Sequence, residues 1–248
     1  MNETKRLRIF AGPNGSGKST IINIVRDQGI DLGIFVNADD IKVSFDSEGY
    51  VDFTSYNIIV SKMEIEDKLK NSFFFPDSQS DEIIAHLTLT NNKLSLHDLS
   101  FSDILSTFIA DFIRSRLLGT CNKFTFETVM SHPSKLEYIK QARLTGYKTY
   151  LYFVALEDPF LNIERVEARV LQNGHDVPKD KIISRYYRTM NSLLDAIRIV
   201  DKAYFFDNSS SNSNLFGIYE NGEINITKPD QIPEWFYTYV LNKLESVK

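Results

Sequence analysis

The sequence predicts an α/β fold built on a mainly parallel sheet, and three features of the chain predict it. The short apolar run Leu7-Arg8-Ile9-Phe10-Ala11 reads as a buried parallel strand. A glycine-rich loop follows it, and then apolar residues three and four apart in Thr20-Ile21-Ile22-Asn23-Ile24-Val25-Arg26 give a helix, with Gly29 where it would stop. Further apolar runs at Lys123-Phe124-Thr125-Phe126, 148–156 and Ala203-Tyr204-Phe205-Phe206 alternate with helical patterns, as a parallel sheet requires.

The loop itself, Gly12-Pro13-Asn14-Gly15-Ser16-Gly17-Lys18-Ser19-Thr20, fits the pattern G-x-x-x-x-G-K-S/T of a phosphate-binding loop. Glycines there let successive backbone N–H groups converge on phosphate oxygens, and the helix that follows adds its positive end. Lys18 would reach the β- and γ-phosphates, and the Ser19 hydroxyl would ligate Mg²⁺. The expected class is therefore a P-loop NTPase, kinase-like and three-layered. Its five-stranded sheet is mainly parallel, with a helical lid over 158–200 and an inserted subdomain over 45–120, all in a single domain of 248 residues.

Along the chain, Gly33-Ile34-Phe35-Val36-Asn37 is a second strand, ending in Asp39 and Asp40 at the sheet edge where ligands bind. Either aspartate would alternatively cap a short helix. Within the insert the pattern predicts a helix over 55–69, loop over 71–80, a β-hairpin over 83–96 about Asn91-Asn92, and a helix over 102–118. A helix over 134–144 follows. Towards the end come a polar loop over 210–214, a hairpin about Asn221-Gly222, and an amphipathic helix over 233–244 whose Trp235, Phe236, Tyr239 and Val240 read as core.

Two helices carry clustered positive charge. The first begins at Asp158-Pro159, an N-cap followed by proline, and sets Ile163, Val166 and Val170 opposite Arg165 and Arg169. After the connector Gly174-His175-Asp176-Val177-Pro178, the second places Ile183, Tyr187, Met190, Leu194 and Ile197 on an apolar stripe, with Arg185 and Arg188 off it. Such arginines are ordinary solvated charges on many surface helices. Beside a phosphate-binding loop they match what phosphoryl transfer needs, a positive group on a mobile segment at the equatorial oxygens.

A hydroxyl kinase also needs a carboxylate to take the acceptor's proton. Asp39 is preferred to Asp40 for that role. Glu127, ending the strand Phe124–Phe126, would hold Mg²⁺-bound water or the acceptor; Asp207 is a weaker candidate by position, and His132 is read as structural.

Composition sets outer bounds. The net charge of -5 gives no electrostatic reason to expect nucleic acid, and the single Cys121 excludes an intrachain disulfide. The start, Met1 to Arg6, runs straight into a strand, and no apolar run approaches a membrane span, so a cytoplasmic protein away from the membrane is expected.

Taken together the motifs resemble the zeta-toxin family of P-loop kinases, in the branch once described as predicted ABC-type ATPases. The resemblance runs through residues 12–20, Val36-Asn37-Ala38-Asp39, Phe126-Glu127-Thr128-Val129-Met130-Ser131 and Gly146-Tyr147-Lys148. It continues through Glu164-Arg165-Val166, Arg169-Val170, residues 174–178 and Arg185-Tyr186, and leaves out 45–100. It implies a kinase using Mg²⁺-ATP or GTP, with a hydroxyl of UDP-N-acetylglucosamine or a similar small molecule as acceptor and a separate antitoxin protein as partner. It also implies Lys18 and Ser19 at the phosphates and Mg²⁺, Asp39 as base, Glu127 and Thr128 at the acceptor, and Arg165 as the first lid arginine; Asp40 is an acceptor-binding candidate by its position beside Asp39 alone. Arg169, Arg185 and His175 compete for the second lid position. A different reading of the same chain is a nucleotide-dependent ATPase switch acting through a protein partner, or a kinase of another small molecule.

Overall fold

The computed structural model describes residues 4–172, 174–210 and 212–245. Met1–Glu3 of the expected start and Ser211 of the expected polar loop lie outside them. The chain forms two compact units, one of residues 1–33 and 125–248, the other of 34–124.

The first unit opens with strand β1 (Arg6–Ala11), in which Leu7, Ile9, Phe10 and Ala11 are completely buried. Burial of successive residues on both faces is what a central parallel strand demands. Helix α1 (Lys18–Asp27) follows the glycine loop and buries Ile21, Ile22 and Val25.

The second unit holds the elements hardest to read from sequence. Strand β2 (Ile34–Val36) leads into helix α2 (Ala38–Glu48), which Asn37 caps by accepting from the Asp39 N–H at 3.2 Å. Neither Asp39 nor Asp40 is therefore the cap; both sit exposed in the first turn. After β3 (Val51–Asp52) the helix expected over 55–69 is split. A 3₁₀ turn spans Phe53–Tyr56, Asn57 takes a left-handed conformation, and α3 (Lys62–Lys70) starts afresh from a Ser61–Glu64 capping box. The stretch expected to be loop up to residue 80 instead begins α4 (Asp77–His86), with Pro76 at its N-cap. That helix is polar enough that its periodicity is weak, and Ser80 anchors it by donating to the Leu69 carbonyl at 3.2 Å.

The hairpin is shorter than its expected span: β4 (Leu87–Thr90) and β5 (Lys93–Leu96) pair about Asn91 and Asn92, both at positive φ. Asparagine tolerates that region, and two such residues suit a right-twisted hairpin. Asn92 also donates to the Ile58 carbonyl at 2.7 Å and accepts from the Val60 N–H at 3.0 Å, which ties the turn to the segment before α3. Helix α5 (Asp103–Leu117) forms as expected, with Ser102 as its N-cap, and buries Phe108, Ile109, Phe112 and Ile113 in a unit whose other buried residues include Phe53, Ile65, Leu69 and Leu94.

The first unit resumes at Thr125, within β6 (Lys123–Thr128), and continues with α6 (Ser134–Leu144) and β7 (Lys148–Ala155). Then come α7 (Pro159–Val170), α8 (Lys179–Ile199), β8 (Lys202–Asp207) and the hairpin β9 (Asn214–Glu220) with β10 (Glu223–Ile226). Among the described residues of this unit the strand order is β10-β9-β8-β7-β1-β6. β1 pairs with β7, and β7 with β8, in parallel, while β9 and β10 are antiparallel. The closing hairpin is thus part of the sheet, which has more strands than the expected five.

On α8 the buried positions are Ile182, Tyr186, Thr189, Met190, Leu193, Leu194, Ala196 and Ile197. The stripe passes through Tyr186, which is 2% exposed, and not the neighbouring Tyr187, at 47%. The Tyr186 hydroxyl makes the difference, donating to the Leu156 and Glu157 carbonyls at 2.9 Å each. Chain closure occurs through Glu234–Phe236, a π turn over Tyr237–Leu241 and Asn242–Glu245, in place of one regular helix. Trp235, Phe236 and Val240 are core as expected, with Phe236 against Phe205 and Trp235 against Phe216, while Tyr239 is only half-buried. Among the described residues no helix is long and apolar enough to cross a membrane.

Candidate nucleotide site

The loop between β1 and α1 is shaped by what lies immediately beneath it. A Cβ at Gly12 would stand 2.0 Å from the Val154 carbonyl oxygen, so the loop leaves β1 in contact with the end of β7. Gly17 caps α1 at φ +90°, and a Cβ there would meet the Asn208 side-chain nitrogen at 2.1 Å. Only glycine satisfies both the conformation and the space.

Within the loop, Lys18 is 7% exposed and donates to the Gly12 and Pro13 carbonyls at 3.0 Å each. Its ammonium lies 3.6 Å from a Glu127 carboxylate oxygen at the end of β6. The Ser16 hydroxyl is buried without a hydrogen-bond partner, a cost that a ligand oxygen would remove. A buried orphan hydroxyl and a lysine curled into the loop both fit a bound polyphosphate. Ser19 is exposed in the first turn of α1, at the helix's positive end.

Three elements grip the loop from outside. From α7, the fully buried Asn162 donates to the Asn14 carbonyl at 2.5 Å, and its main-chain oxygen would lie 2.6 Å from a Cβ on Gly15. From α8, Arg185 reaches the Asn14 side-chain oxygen at 3.5 Å. From the loop after β8, Asn208 donates to the Ser16 carbonyl at 2.8 Å and accepts from the Ser213 hydroxyl at 2.7 Å.

The arginines sort themselves by this geometry. Arg165 donates to the Asn208 and Ser210 carbonyls at 2.6 and 3.4 Å, and its guanidinium would lie 3.8 Å from a Cβ on Gly17. Arg185 also stands at the loop. Arg169 turns the other way, donating to the His175 carbonyl at 2.6 Å and packing its stem against Gly174. It braces the connector, and the structure does not bring it to the glycine loop. The apolar side of α7 behaves as expected, with Ile163 and Val166 buried against Val177 and Ile182.

Other sequence candidates have local partners. The Thr128 hydroxyl accepts from the Met130 N–H at 3.0 Å, and Met130 takes φ +59° there. His132 is engaged with Ser134 at the start of α6. Asp207 accepts from Ser209 and from the Trp235 indole at 2.7 and 3.1 Å. Nearby, Glu157 is held above the usual carboxylate range by burial and by the charges of Asp207 and Glu234. In the second unit, burial and the Asp40 charge push the Tyr56 phenol up to about 12.

Asn162 and Asn208 were missed by sequence reasoning. Asn208 falls in Asp207-Asn208-Ser209, which reads as a turn, and Asn162 sits beside Ile163 with no periodic signal of its own.

The sequence matches no protein-family model and no curated protein. Among solved structures it is similar to a chain of the AvrRxo1-ORF1:AvrRxo1-ORF2 complex with ATP, at 15% identity and a TM-score of 0.57, covering 92% of this chain and 62% of that one. The native form of that complex gives 15% identity, a TM-score of 0.56 and the same coverage. A chain from the PezAT toxin–antitoxin system of Streptococcus pneumoniae aligns with a TM-score of 0.46 at 11% identity, over 86% of this chain and 72% of that one. This chain thus spans about three-fifths of the length of the AvrRxo1 chains it matches. Identity at this level speaks of fold, and together with the strand, glycine loop and helix of residues 6–27 it gives this chain the mainly parallel α/β fold of the P-loop NTPases.

Proposed function

We propose that the protein is a P-loop kinase that moves the γ-phosphoryl group of ATP to a hydroxyl of a small molecule, UDP-N-acetylglucosamine or a similar one. The observation that supports this best is the meeting of Lys18, Arg165 and Arg185 around one glycine loop. Positive charge from three elements suits the spread of charge over the equatorial oxygens in phosphoryl transfer. A simple phosphate-binding loop needs no such set.

In this reading the backbone of residues 12–17 and Lys18 hold the β- and γ-phosphates, with Thr20 in the first turn of α1 beside them. Mg²⁺ held by Ser19 would neutralise the phosphate charge. Asp39 takes the acceptor's hydroxyl proton as that oxygen bonds to the γ-phosphorus and the bond to the β-phosphate oxygen breaks, releasing ADP. Glu127 and Thr128, with Asp40, orient the acceptor. Arg165 and Arg185 are the two lid arginines, and Arg169 keeps the connector in shape. The ATP in one AvrRxo1 structure favours ATP over GTP as donor, and the two-protein composition of that complex favours a separate partner chain, such as an antitoxin. A cytoplasmic location suits a nucleotide-dependent kinase.

An alternative is an ATPase switch acting through a protein partner. It is favoured by Ile59, Met63 and Phe73 of the second unit, which are 83%, 67% and 65% exposed. Phosphorus NMR on the purified protein with Mg²⁺-ATP, with and without UDP-N-acetylglucosamine, tests the two. A new phosphomonoester signal lost in Asp39→Ala is expected. ADP and free phosphate alone, with every small-molecule acceptor tried, would leave the switch.

A further inference from the structure

The expected lid is a mobile segment that delivers an arginine. At the root of α7 the geometry is different. The backbone of α7 passes so close to the glycine loop that Gly15 has no room for a Cβ against the Asn162 carbonyl, and the Asn162 side chain is fully buried on Asn14. Three residues further along the helix, Arg165 is held by main-chain oxygens of the loop after β8. Asn208 supplies the first of those oxygens. Its side chain meanwhile donates to the Ser16 carbonyl and accepts from Ser213, and only 6% of the residue is exposed.

We propose that Asn208 is a positioning residue that sets Arg165 over the phosphate-binding loop before substrate arrives. One residue bonds the loop through its side chain and the arginine through its main chain, so the separation between Ser16 and the Arg165 guanidinium is fixed by a single rigid unit. The arginine then needs no closing motion to reach the γ-phosphate, and part of the entropy cost of ordering a long side chain is met on folding. The same amide fills the volume above Gly17, which explains why that position excludes any side chain. This inference rests on the reading of Arg165 as a γ-phosphate ligand.

The test compares affinities for a fluorescent ATP and the matching ADP, because their ratio isolates contacts to the γ-phosphate. Wild type, Arg165→Ala, Asn208→Ala and the double variant are measured, with thermal unfolding as a check on folding. Asn208→Asp is the second single variant; it keeps the volume and the Ser213 bond but cannot donate to Ser16. Arg165→Ala is expected to lower the ATP-to-ADP preference about tenfold, as loss of a charge-assisted bond does. Each Asn208 variant should lower it by a similar factor, and the double variant no further. Full preference in folded Asn208 variants, or losses that simply multiply in the double variant, would overturn the positioning role. Unchanged preference in Arg165→Ala would overturn the underlying assignment of Arg165. Failure to phosphorylate any acceptor would count against the kinase reading alone, since the nucleotide ratio does not depend on an acceptor.

Discussion

The Lys18 ammonium lies 3.6 Å from the Glu127 carboxylate, with 7% and 16% of the two side chains exposed. A shielded opposite charge at that distance competes directly with phosphate for the lysine. Glu127→Gln should therefore bind ATP several-fold more tightly, while phosphoryl transfer should fall tenfold or more if Glu127 orients the acceptor as proposed, roughly the effect of one positioned polar group. Titration calorimetry and a transfer assay on the same preparation would separate the two effects. Weaker ATP binding in Glu127→Gln would show that the carboxylate supports the site and does not compete within it.

Lys18→Ala removes a cation whose bonds to Gly12 and Pro13 also shape the loop. ATP affinity should fall by about tenfold to a hundredfold, the range for a charge-assisted contact. Equilibrium binding checks this, and near-normal affinity would mean that the backbone amides alone hold the phosphates.

Asp39 is exposed in the first turn of α2, and the capping role belongs to Asn37. Asp39→Ala should leave the helix intact. If Asp39 is the base proposed above, phosphoryl transfer should drop by about a hundredfold or more, as loss of a general base does, with ATP affinity little changed. Single-turnover transfer measured beside circular dichroism decides the matter. Full-rate transfer would remove Asp39 from the mechanism.

The Tyr56 phenol offers a pH test within the second unit. Burial is the larger cause of its rise to about 12, and the Asp40 charge is the second. Folding favours the neutral phenol, so this stabilisation is complete below the ordinary value of 10.0 and is lost as pH rises towards 12. Asp40→Asn removes a negative charge, so the Tyr56 pKa should move down, as read by phenolate absorbance against a Tyr56→Phe blank. An unchanged titration would leave burial as the whole cause.

Phe108 is completely buried and meets the rings of Phe74 and Phe75 edge-on, with centroids 6.0 and 5.9 Å away. Phe108→Ala should cost about 3–5 kcal/mol, the usual loss for a large buried aromatic. Urea unfolding followed by a probe in residues 34–124 would measure it. A loss below about 1 kcal/mol would mean that the Phe73-Phe74-Phe75 segment collapses into the space.

By itself the sequence determined the phosphate-binding loop, its flanking strand and helix, and the central strands, because each depends on local chemistry. Glycine spacing sets a loop, continuous apolar runs set buried strands, and Asn91-Asn92 sets a tight turn. Elements with weak local signals were not legible. The polar helix Asp77–His86 looks like loop, and the choice of Tyr186 over Tyr187 for burial depends on two carbonyls about thirty residues away along the chain. The site was decided the same way. Periodicity puts Arg165 and Arg169 on one helix face, but only the packed fold sends Arg165 to the loop after β8 and Arg169 to the connector. Asn208 and Ser16 are 192 residues apart. A hydrogen bond between such partners is fixed by how the strands order in the sheet, and no local pattern encodes it.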